Sequence, residues 1–542
     1  MVSEEQRREA LRATRPRSVT PVPLASVVTR LAADGAAPET TGPVGTDGSD
    51  GADGSDGSDG ADGVSVTGVT LSTQRVLPGD LYAALPGTRA HGADFAAQAL
   101  AAGAVAVLTD ADGAARLAAL PGGVADDLPV VVVADPRRVL GSVAAQVYGD
   151  PAGRLTLVAV TGTQGKTTTT RLATSALEAA GVRCAAIGTV GTRVAGRDLA
   201  TSLTTPEAPD LFALLARMAE EEVAVCVMEV SSHALVLGRV DGVVFDVACF
   251  TNLGRDHLDF HPTVEDYYRA KASLFTPARA RLALVAVDDE HGRRLAGETT
   301  LPVRTLSAAG RDADWRAADV RSDAAGSSFT LAGPDDLRLA TGVGLPGAFN
   351  VANALTALAA IAEAGLDVAG AAAALPTAGG VPGRFERVEA GQDFTVVVDY
   401  AHKPDAVEAA LAAMRTLTAG RLLVVLGAGG DRDPGKRELM GEVASRLADV
   451  VVVTDDNPRS EDPAEIRAAV LAGARAGDAE LLDVGDRREA VRRALALARS
   501  GDVVVVAGKG HETGQEVAGV VHPFDDRVVV AEELGALAGS RP

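Results

Sequence analysis

Residues 155–170 read LTLVAVTGTQGKTTTT, and this run decides the fold of the centre of the chain. Residues 155–160 have the length and apolar, β-branched content of a buried strand. Thr161-Gly162-Thr163-Gln164-Gly165-Lys166-Thr167-Thr168 follows directly, and a helix is predicted from about Thr169. Strand, glycine loop and helix N-terminus together present backbone N–H groups and a positive dipole end to phosphate. Gly162 and Gly165 allow close backbone approach, Lys166 reaches the terminal phosphates, and the Thr167 hydroxyl suits Mg2+. The general loop has glycine at position 160; Val160 stands there, so this is the shorter GTxGKT form. ATP is expected to bind through Gly162, Thr163, Gln164, Gly165, Lys166, Thr167 and Thr168.

Outward from the loop, strand and helix patterns keep alternating. Residues 64–71 alternate like a strand, Pro78-Gly79-Asp80 is a turn, 96–103 read as helix, and 104–108 and 130–134 as strands. Helices are predicted at 24–31 and 139–147. A second βαβ series runs from 155 to about 375. A third begins near Arg384, with apolar strands at 395–398, 422–426, 450–454 and 502–507. Such alternation implies mostly parallel sheets with right-handed crossovers. The expected fold class is α/β, three domains in series: a small α/β unit over 19–152, a central P-loop parallel-sheet unit over 153–380, and a Rossmann-like unit over 381–542. Residues 1–18 are expected to be a disordered tail. Residues 45–63, GTDGSDGADGSDGSDGADG, lack both the proline of collagen and the repeat of calcium-binding β-rolls. A flexible acidic insert over 42–63 is the expectation.

Composition narrows the function classes. A formal net charge of −22 argues against a nucleic-acid partner, which favours a basic face. No apolar run approaches the roughly 18 residues of a membrane span, and no signal peptide is visible at the N-terminus, so a cytoplasmic protein without membrane insertion is expected. Cys184, Cys226 and Cys249 lie in apolar stretches without ligand-like spacing and are expected to be reduced core thiols. Of 51 basic residues only five are lysine: Lys166, Lys271, Lys403, Lys436 and Lys509. Where arginine is so widely used in place of lysine, the survivors are candidates for positions that need a compact ammonium able to lose its proton, with chance retention on a solvated face as the alternative.

Residues 223–230 form another predicted strand, ending in Met228-Glu229-Val230-Ser231-Ser232-His233. A carboxylate at the end of a buried strand beside a phosphate loop is placed to hold Mg2+. Downstream come Asn252-Leu253-Gly254-Arg255-Asp256-His257 and Tyr267-Tyr268-Arg269-Ala270-Lys271. Neutral imidazole can ligate a cation; an ammonium cannot.

These residues resemble the Mur ligases, the amide-bond-forming enzymes of peptidoglycan precursor synthesis, over roughly residues 64–535. GTQGKTT is similar to their ATP loop, with Gln164 where the family usually has Asn. The resemblance implies Mg2+ ligation by Thr167, Glu229 and His257, and carbamylation of Lys271 to N6-carboxylysine, which turns a cation into a carboxylate. It also implies catalytic roles for Lys166, Glu229, His257 and Lys271. Gly347-Ala348-Phe349-Asn350-Val351-Ala352-Asn353, Pro382-Gly383-Arg384 and Asp399-Tyr400-Ala401-His402-Lys403-Pro404 look like further ATP contacts, through Asn353, Arg384, Asp399 and His402.

The N-terminal unit resembles the UDP-sugar domain of the tripeptide-forming members, implying contacts from Leu71, Thr73, Thr88, Arg89 and Ala90. The departure is Ser72-Thr73-Gln74, where members often carry Asp-Ser-Arg. Thr204, Thr205, Ser231 and Arg239 match residues that hold the muramoyl-peptide. Asp456-Asn457-Pro458-Arg459 looks like the form that selects meso-2,6-diaminopimelate, since a guanidinium clamps its distal carboxylate bidentately. Arg432, Asp456, Asn457, Pro458, Arg459, Gly508 and Glu512 are the implied acceptor residues, with Glu512 meeting the distal ammonium. The expected reaction adds that amino acid to UDP-N-acetylmuramoyl-L-alanyl-D-glutamate through an acyl-phosphate. ATP and Mg2+ are the expected cosubstrate and cofactor, small molecules the partners, and a monomer the assembly. An L-lysine-adding member, a folylpolyglutamate synthase and a P-loop ATPase that is no ligase are the alternatives.

Overall fold

The structure, a computed structural model, describes residues 4–42, 44, 63–120, 128–323 and 325–540. Three sheets follow one another along the chain. The first has five strands in the order Glu39–Thr41, Val130–Val132, Ala106–Thr109, Asp80–Ala83, Gly68–Thr70. The central sheet has eleven, with the phosphate-loop strand Thr156–Thr161 between Val225–Glu229 and Phe245–Phe250. The third has six, with Val503–Ala507 between Thr395–Asp399 and Leu422–Leu426. Strands in the middle of each sheet are covered on both faces, so they read as unbroken apolar runs, as in Val450–Val453.

Parallel pairing holds where helices intervene, but both ends of the central sheet are antiparallel. Gly191–Val194 turns into Arg197–Leu199 through Ala195 (φ 46°) and Gly196 (φ 82°), both left-handed, a two-residue hairpin too short for a crossover. Trp315–Asp323, Gly326–Ala332 and Arg338–Val343 form a meander at the far edge. The expected strand over 64–71 divides in two. Ser65–Val66 pairs antiparallel with Val22–Pro23, whereas Gly68–Thr70 joins Asp80–Ala83 in parallel.

The N-terminal segment corrects the expectation of a disordered tail. Residues Glu4–Ala13 are helical, and Arg15 forms a buried bidentate pair with Asp80 at 2.6 and 2.9 Å. A Cβ on Gly68 would lie 2.2 Å from Asp80 Oδ1, so the pair occupies the space glycine leaves. The backbone N–H groups of Arg17 and Ser18 donate to Glu220 of the central unit at 2.8 and 3.1 Å. The Gly/Asp-rich insert lies, apart from residues 42, 44 and 63, outside the described residues.

All three cysteines are free and buried, and burial pushes their thiols up, Cys184 to about 12. Among the described residues no helix is long and apolar enough to cross a membrane. The central and third units share one apolar cluster, with Phe349 of one and Phe385 of the other 5.3 Å apart at the ring centroids. That junction brings the loops at the C-terminal ends of their strands to one place.

Candidate active site

The loop after Thr156–Thr161 leads into a helix at Lys166, three residues earlier than the sequence pattern suggests. Gly162 (φ 149°) and Gly165 (φ 86°) both have backbones that a side chain resists. Their missing side chains also make room: a Cβ on Gly162 would lie 2.0 Å from Thr251 Oγ1, and one on Gly165 2.3 Å from Asn353 Oδ1. The Gln164 N–H donates to Asn252 Oδ1 at 2.9 Å, and its carbonyl accepts from Thr251 Oγ1 at 2.7 Å. Gln164 is therefore fixed through its backbone. Lys166 folds back onto the loop, donating to Gly162 O at 2.8 Å and Thr163 O at 3.0 Å. Burial pushes its pKa down to about 8, with Lys403 and Arg384 adding to the fall against Glu229 and Asp256.

Glu229 ends its strand directly opposite Val160 and is 1 % exposed. Its carboxylate accepts from the Thr189 N–H at 2.8 Å and the Thr189 hydroxyl at 3.1 Å. Lys271 is equally buried, donates to Gly162 O at 2.8 Å and lies 4.5 Å from the Tyr267 ring centroid. Burial, reinforced by Lys166, holds its amine well below the ordinary lysine range. His257 sits at φ 52° with Nε2 3.1 Å from Asp256 Oδ2, and burial pushes its pKa down to about 4. Among the described residues no three His, Cys, Asp or Glu side chains converge on one point. The donor chemistry nevertheless fits a cation that brings its own phosphate ligands: one buried carboxylate, an imidazole whose pKa burial lowers to about 4, the Thr167 hydroxyl, and an amine whose pKa burial lowers.

Asn353 projects from the helix Ala348–Glu363 onto the loop, its Oδ1 3.5 Å from the Thr169 hydroxyl. From the third unit, Arg384 stacks 4.5 Å over the Tyr400 ring. Asp399 accepts from the N–H groups of Phe385 and Ala401 at 2.9 and 2.8 Å, so it shapes the turn that carries Arg384 and His402. Burial raises its pKa. His402 Nδ1 lies 2.7 Å from Tyr400 O, and burial, with Lys403 and Lys436, pushes its pKa down to about 3. Lys403 reaches across the junction and pairs with Asp256.

Thr205, Ser231 and Arg239 meet beside Glu229. The Thr205 hydroxyl donates to Glu229 O at 2.9 Å and accepts from the Ser231 N–H at 3.1 Å, while Arg239 donates to Thr205 O at 3.3 Å. Thr204 joins through Thr189, hydroxyl to hydroxyl at 3.1 Å. Thr88, Arg89 and Ala90 are exposed on the loop after Asp80–Ala83, and Leu71 and Thr73 are half-buried after Gly68–Thr70.

In the third unit Asp456, Asn457, Lys509, Glu512 and Glu516 form one network. Asn457 Oδ1 accepts from Lys509 Nζ at 3.1 Å and the Glu516 N–H at 2.9 Å. Asn457 Nδ2 donates to Asp456 at 3.2 Å and Glu512 at 2.9 Å, so all four of its positions are filled. Arg459 is held in the left-handed region (φ 53°), donating to Gly430 O at 2.6 Å with Glu516 3.4 Å away. A non-glycine residue kept there costs about 1–2 kcal/mol, a cost that concentrates at functional sites. A Cβ on Gly508 would lie 2.9 Å from Asp456 Oδ2, which keeps that position small. Pro458 lies within this loop; Arg432 is exposed on the neighbouring one.

Each of the five lysines contacts a specific group around these sites, Lys436 donating to His402 O at 3.1 Å. Sequence reasoning missed Thr251 and Asn252 as braces of the loop, Asp256 as the partner of Lys403, and Lys509 at the centre of the acceptor network. The scarcity of lysine was the one signal that singled out Lys403 and Lys509.

Comparison with known proteins agrees with this geometry. Residues 65–148 match the profile described as Mur ligase family, catalytic domain, 160–361 the Mur ligase middle domain, and 383–510 the Mur ligase, glutamate ligase domain. A UDP-N-acetylmuramoyl-L-alanyl-D-glutamate--2,6-diaminopimelate ligase of Streptomyces avermitilis is 53 % identical over 88 % of this chain and 93 % of its own. A UDP-N-acetylmuramyl-tripeptide synthetase of Leifsonia xyli is 48 % identical over 87 % and 93 %. A solved structure of a UDP-N-acetylmuramoyl-L-alanyl-D-glutamate--2,6-diaminopimelate ligase superimposes with a TM-score of 0.61 at 34 % identity, over 88 % of this chain and 96 % of that one.

Proposed function

The chain belongs to the Mur ligase family, and we propose on that premise that it joins meso-2,6-diaminopimelate to UDP-N-acetylmuramoyl-L-alanyl-D-glutamate in peptidoglycan precursor synthesis. It is an ATP-dependent ligase of the acid–amino-acid class. The observation that carries the choice of acceptor is Arg459, fixed at a strained backbone position beside Glu516, whose N–H joins the half-buried network of Asn457 and Glu512. A guanidinium and a carboxylate carried by one connected set of loops suit an amino acid whose far end carries both a carboxylate and an ammonium.

In this reading Gly162–Thr168 and Asn353 hold ATP, and Arg384, Asp399 and His402 complete its site from the third unit. Lys166 neutralises charge on the phosphoryl group as it passes to the γ-carboxylate of the D-glutamate. Thr167, Glu229, His257 and Lys271, the last as N6-carboxylysine, would hold Mg2+, which supplies Lewis acidity to the phosphates. Support for the carbamate comes from burial of the amine: only an uncharged amine adds CO2, and burial, reinforced by Lys166, moves the Lys271 amine toward that form. Leu71, Thr73, Thr88, Arg89 and Ala90 would face the nucleotide-sugar, and Thr204, Thr205, Ser231 and Arg239 the peptide. Arg432 and Arg459 would bind acceptor carboxylates and Glu512 the distal ammonium. Asp456, Asn457, Pro458 and Gly508 shape that pocket. The acceptor amine attacks the acyl-phosphate, the amide forms, and phosphate leaves. Placement and charge stabilisation carry the reaction, without a protein nucleophile. A cytoplasmic monomer is the setting proposed.

The test is ADP release with the UDP-dipeptide and either diaminopimelate or L-lysine. Turnover that requires both the UDP-dipeptide and diaminopimelate is expected. ADP release independent of an acceptor, or faster with lysine, would refute the assignment.

A further inference from the structure

Lys509 is fully buried, yet its ammonium has a carboxylate or amide oxygen on three sides: Asn457 Oδ1 at 3.1 Å, Glu512 Oε2 at 3.1 Å and Asp456 Oδ1 at 3.6 Å. Two of these, Asn457 and Glu512, also bond each other at 2.9 Å, again through Glu512 Oε2. The Glu512 carboxylate is thus pinned through one oxygen by an internal cation and a saturated amide. Below the cluster lies a second buried pair, Arg487 with Asp526 at 2.7 and 2.8 Å, whose guanidinium also donates to Ala507 O at 2.9 Å. Asp456 faces this guanidinium as well as Lys509, and burial still raises its pKa. The cluster therefore depends on its cations to keep the buried Asp456 carboxylate beside the half-buried one of Glu512.

We infer that Lys509 is a positioning residue for the acceptor amino acid: its ammonium fixes Glu512 and Asn457 in the arrangement that receives the acceptor's distal ammonium. This rests on the proposed acceptor site. Lys509 makes no contact with substrate in this scheme, because its three partners enclose it. Its effect passes through Glu512, which without it would be left with the neutral hydrogen-bond partners Asn457 and Tyr400 and would face Asp456 with one fewer cation nearby. Arginine is not an equivalent replacement, since a fully buried point charge with three oxygen partners differs from a planar fork. The surrounding Asp456-Asn457 and Gly508-Glu512 segments belong to the loops after Val450–Val453 and Val503–Ala507, two strands separated in the sheet by Leu422–Leu426, so one ammonium ties the two halves of the acceptor pocket together.

The experiment is steady-state kinetics on the full chain carrying Lys509→Met, Lys509→Gln, Glu512→Gln and the double variant Lys509→Met/Glu512→Gln. Lys509→Met should raise KM for diaminopimelate at least tenfold while KM for ATP and for the UDP-dipeptide stays within about twofold. Lys509→Gln, which keeps a hydrogen-bond donor, should fall between it and the parent. In the double variant the effect of Lys509→Met should shrink to less than threefold on top of Glu512→Gln, because the two act as one unit. An unchanged KM for diaminopimelate, additive effects in the double variant, or equal losses in all three KM values with a lowered Tm would overturn the role. If Lys509→Met does not fold, the Lys509→Gln variant, alone and combined with Glu512→Gln, carries the same comparison. A parent enzyme that uses only lysine as acceptor refutes the functional reading instead, and the Lys509 comparison is then made on KM for lysine, which carries the same distal ammonium.

Discussion

Gly188→Ala should disable the enzyme although residue 188 touches neither nucleotide nor substrate in the proposed mechanism. A Cβ at that position would lie 2.2 Å from Glu229 Oε1 and 2.9 Å from its carboxyl carbon. Contacts that short do not persist, so the carboxylate must retreat by about 1 Å, a displacement that typically costs on the order of 100-fold in rate. Retreat also breaks the two bonds that hold Glu229, from the Thr189 N–H and hydroxyl. Hydrogen bonds to a charged group contribute roughly 1.5–3 kcal/mol each, so the carboxylate has no equally good second position. The expected outcome is a kcat lowered about 100-fold, equivalent to about 2.7 kcal/mol, and a raised Mg2+ requirement with a fold close to the parent's. Thr189→Val removes one of the two bonds without filling the space and should cost about tenfold. Coupled ADP release across a Mg2+ titration measures both variants. A Gly188→Ala enzyme within threefold of the parent at every Mg2+ concentration would refute the view that Glu229 must occupy this position.

Lys271→Ala should lose activity that a small carboxylic acid partly restores, and Lys271→Arg should stay inactive with or without it; full activity of Lys271→Ala with no additive would end the carbamate role. Lys403→Met leaves Asp256 without its partner across the junction, and should raise KM for ATP roughly tenfold and increase the radius of gyration in solution scattering. If neither quantity moves, the pair does not hold the third unit closed. His402 has its folded pKa pushed down to about 3 from the ordinary 6.5, so the stability this neutral imidazole contributes is complete above pH 6.5 and is lost as pH falls toward 3. At pH 5.5 that loss is about 1.4 kcal/mol. Denaturant midpoints of His402→Asn should therefore fall less than the parent's between pH 7 and 5.5, and parallel curves would exclude the effect.

The phosphate loop was legible because every feature of it is local. An apolar run, two glycines and a lysine at fixed spacing determine a strand, a tight turn and a helix start within one window, through backbone sterics and burial alone. The α/β class and the three-domain series follow from the same local periodicities. Composition added the five lysines, since their rarity marks positions where arginine does not serve. Residues 4–18 are ordered where a disordered tail was expected, because the partner of Arg15 is Asp80, far along the chain, and the local pattern shows only charge.

Tertiary structure alone decided who stands beside whom. Glu229 needs glycine at 188 because two neighbouring parallel strands happen to end together; Gly165 faces Asn353 because a distant helix crosses the loop; Lys403 meets Asp256 across two units. Lys509 is the clearest case, an ammonium whose amide partner lies 52 positions away. Strand order sets such neighbours, and strand order is the outcome of packing whole sheets and helices against each other, which no window of sequence carries. The sequence by itself specified the chemistry available to this protein; the fold chose which of those groups share a charge.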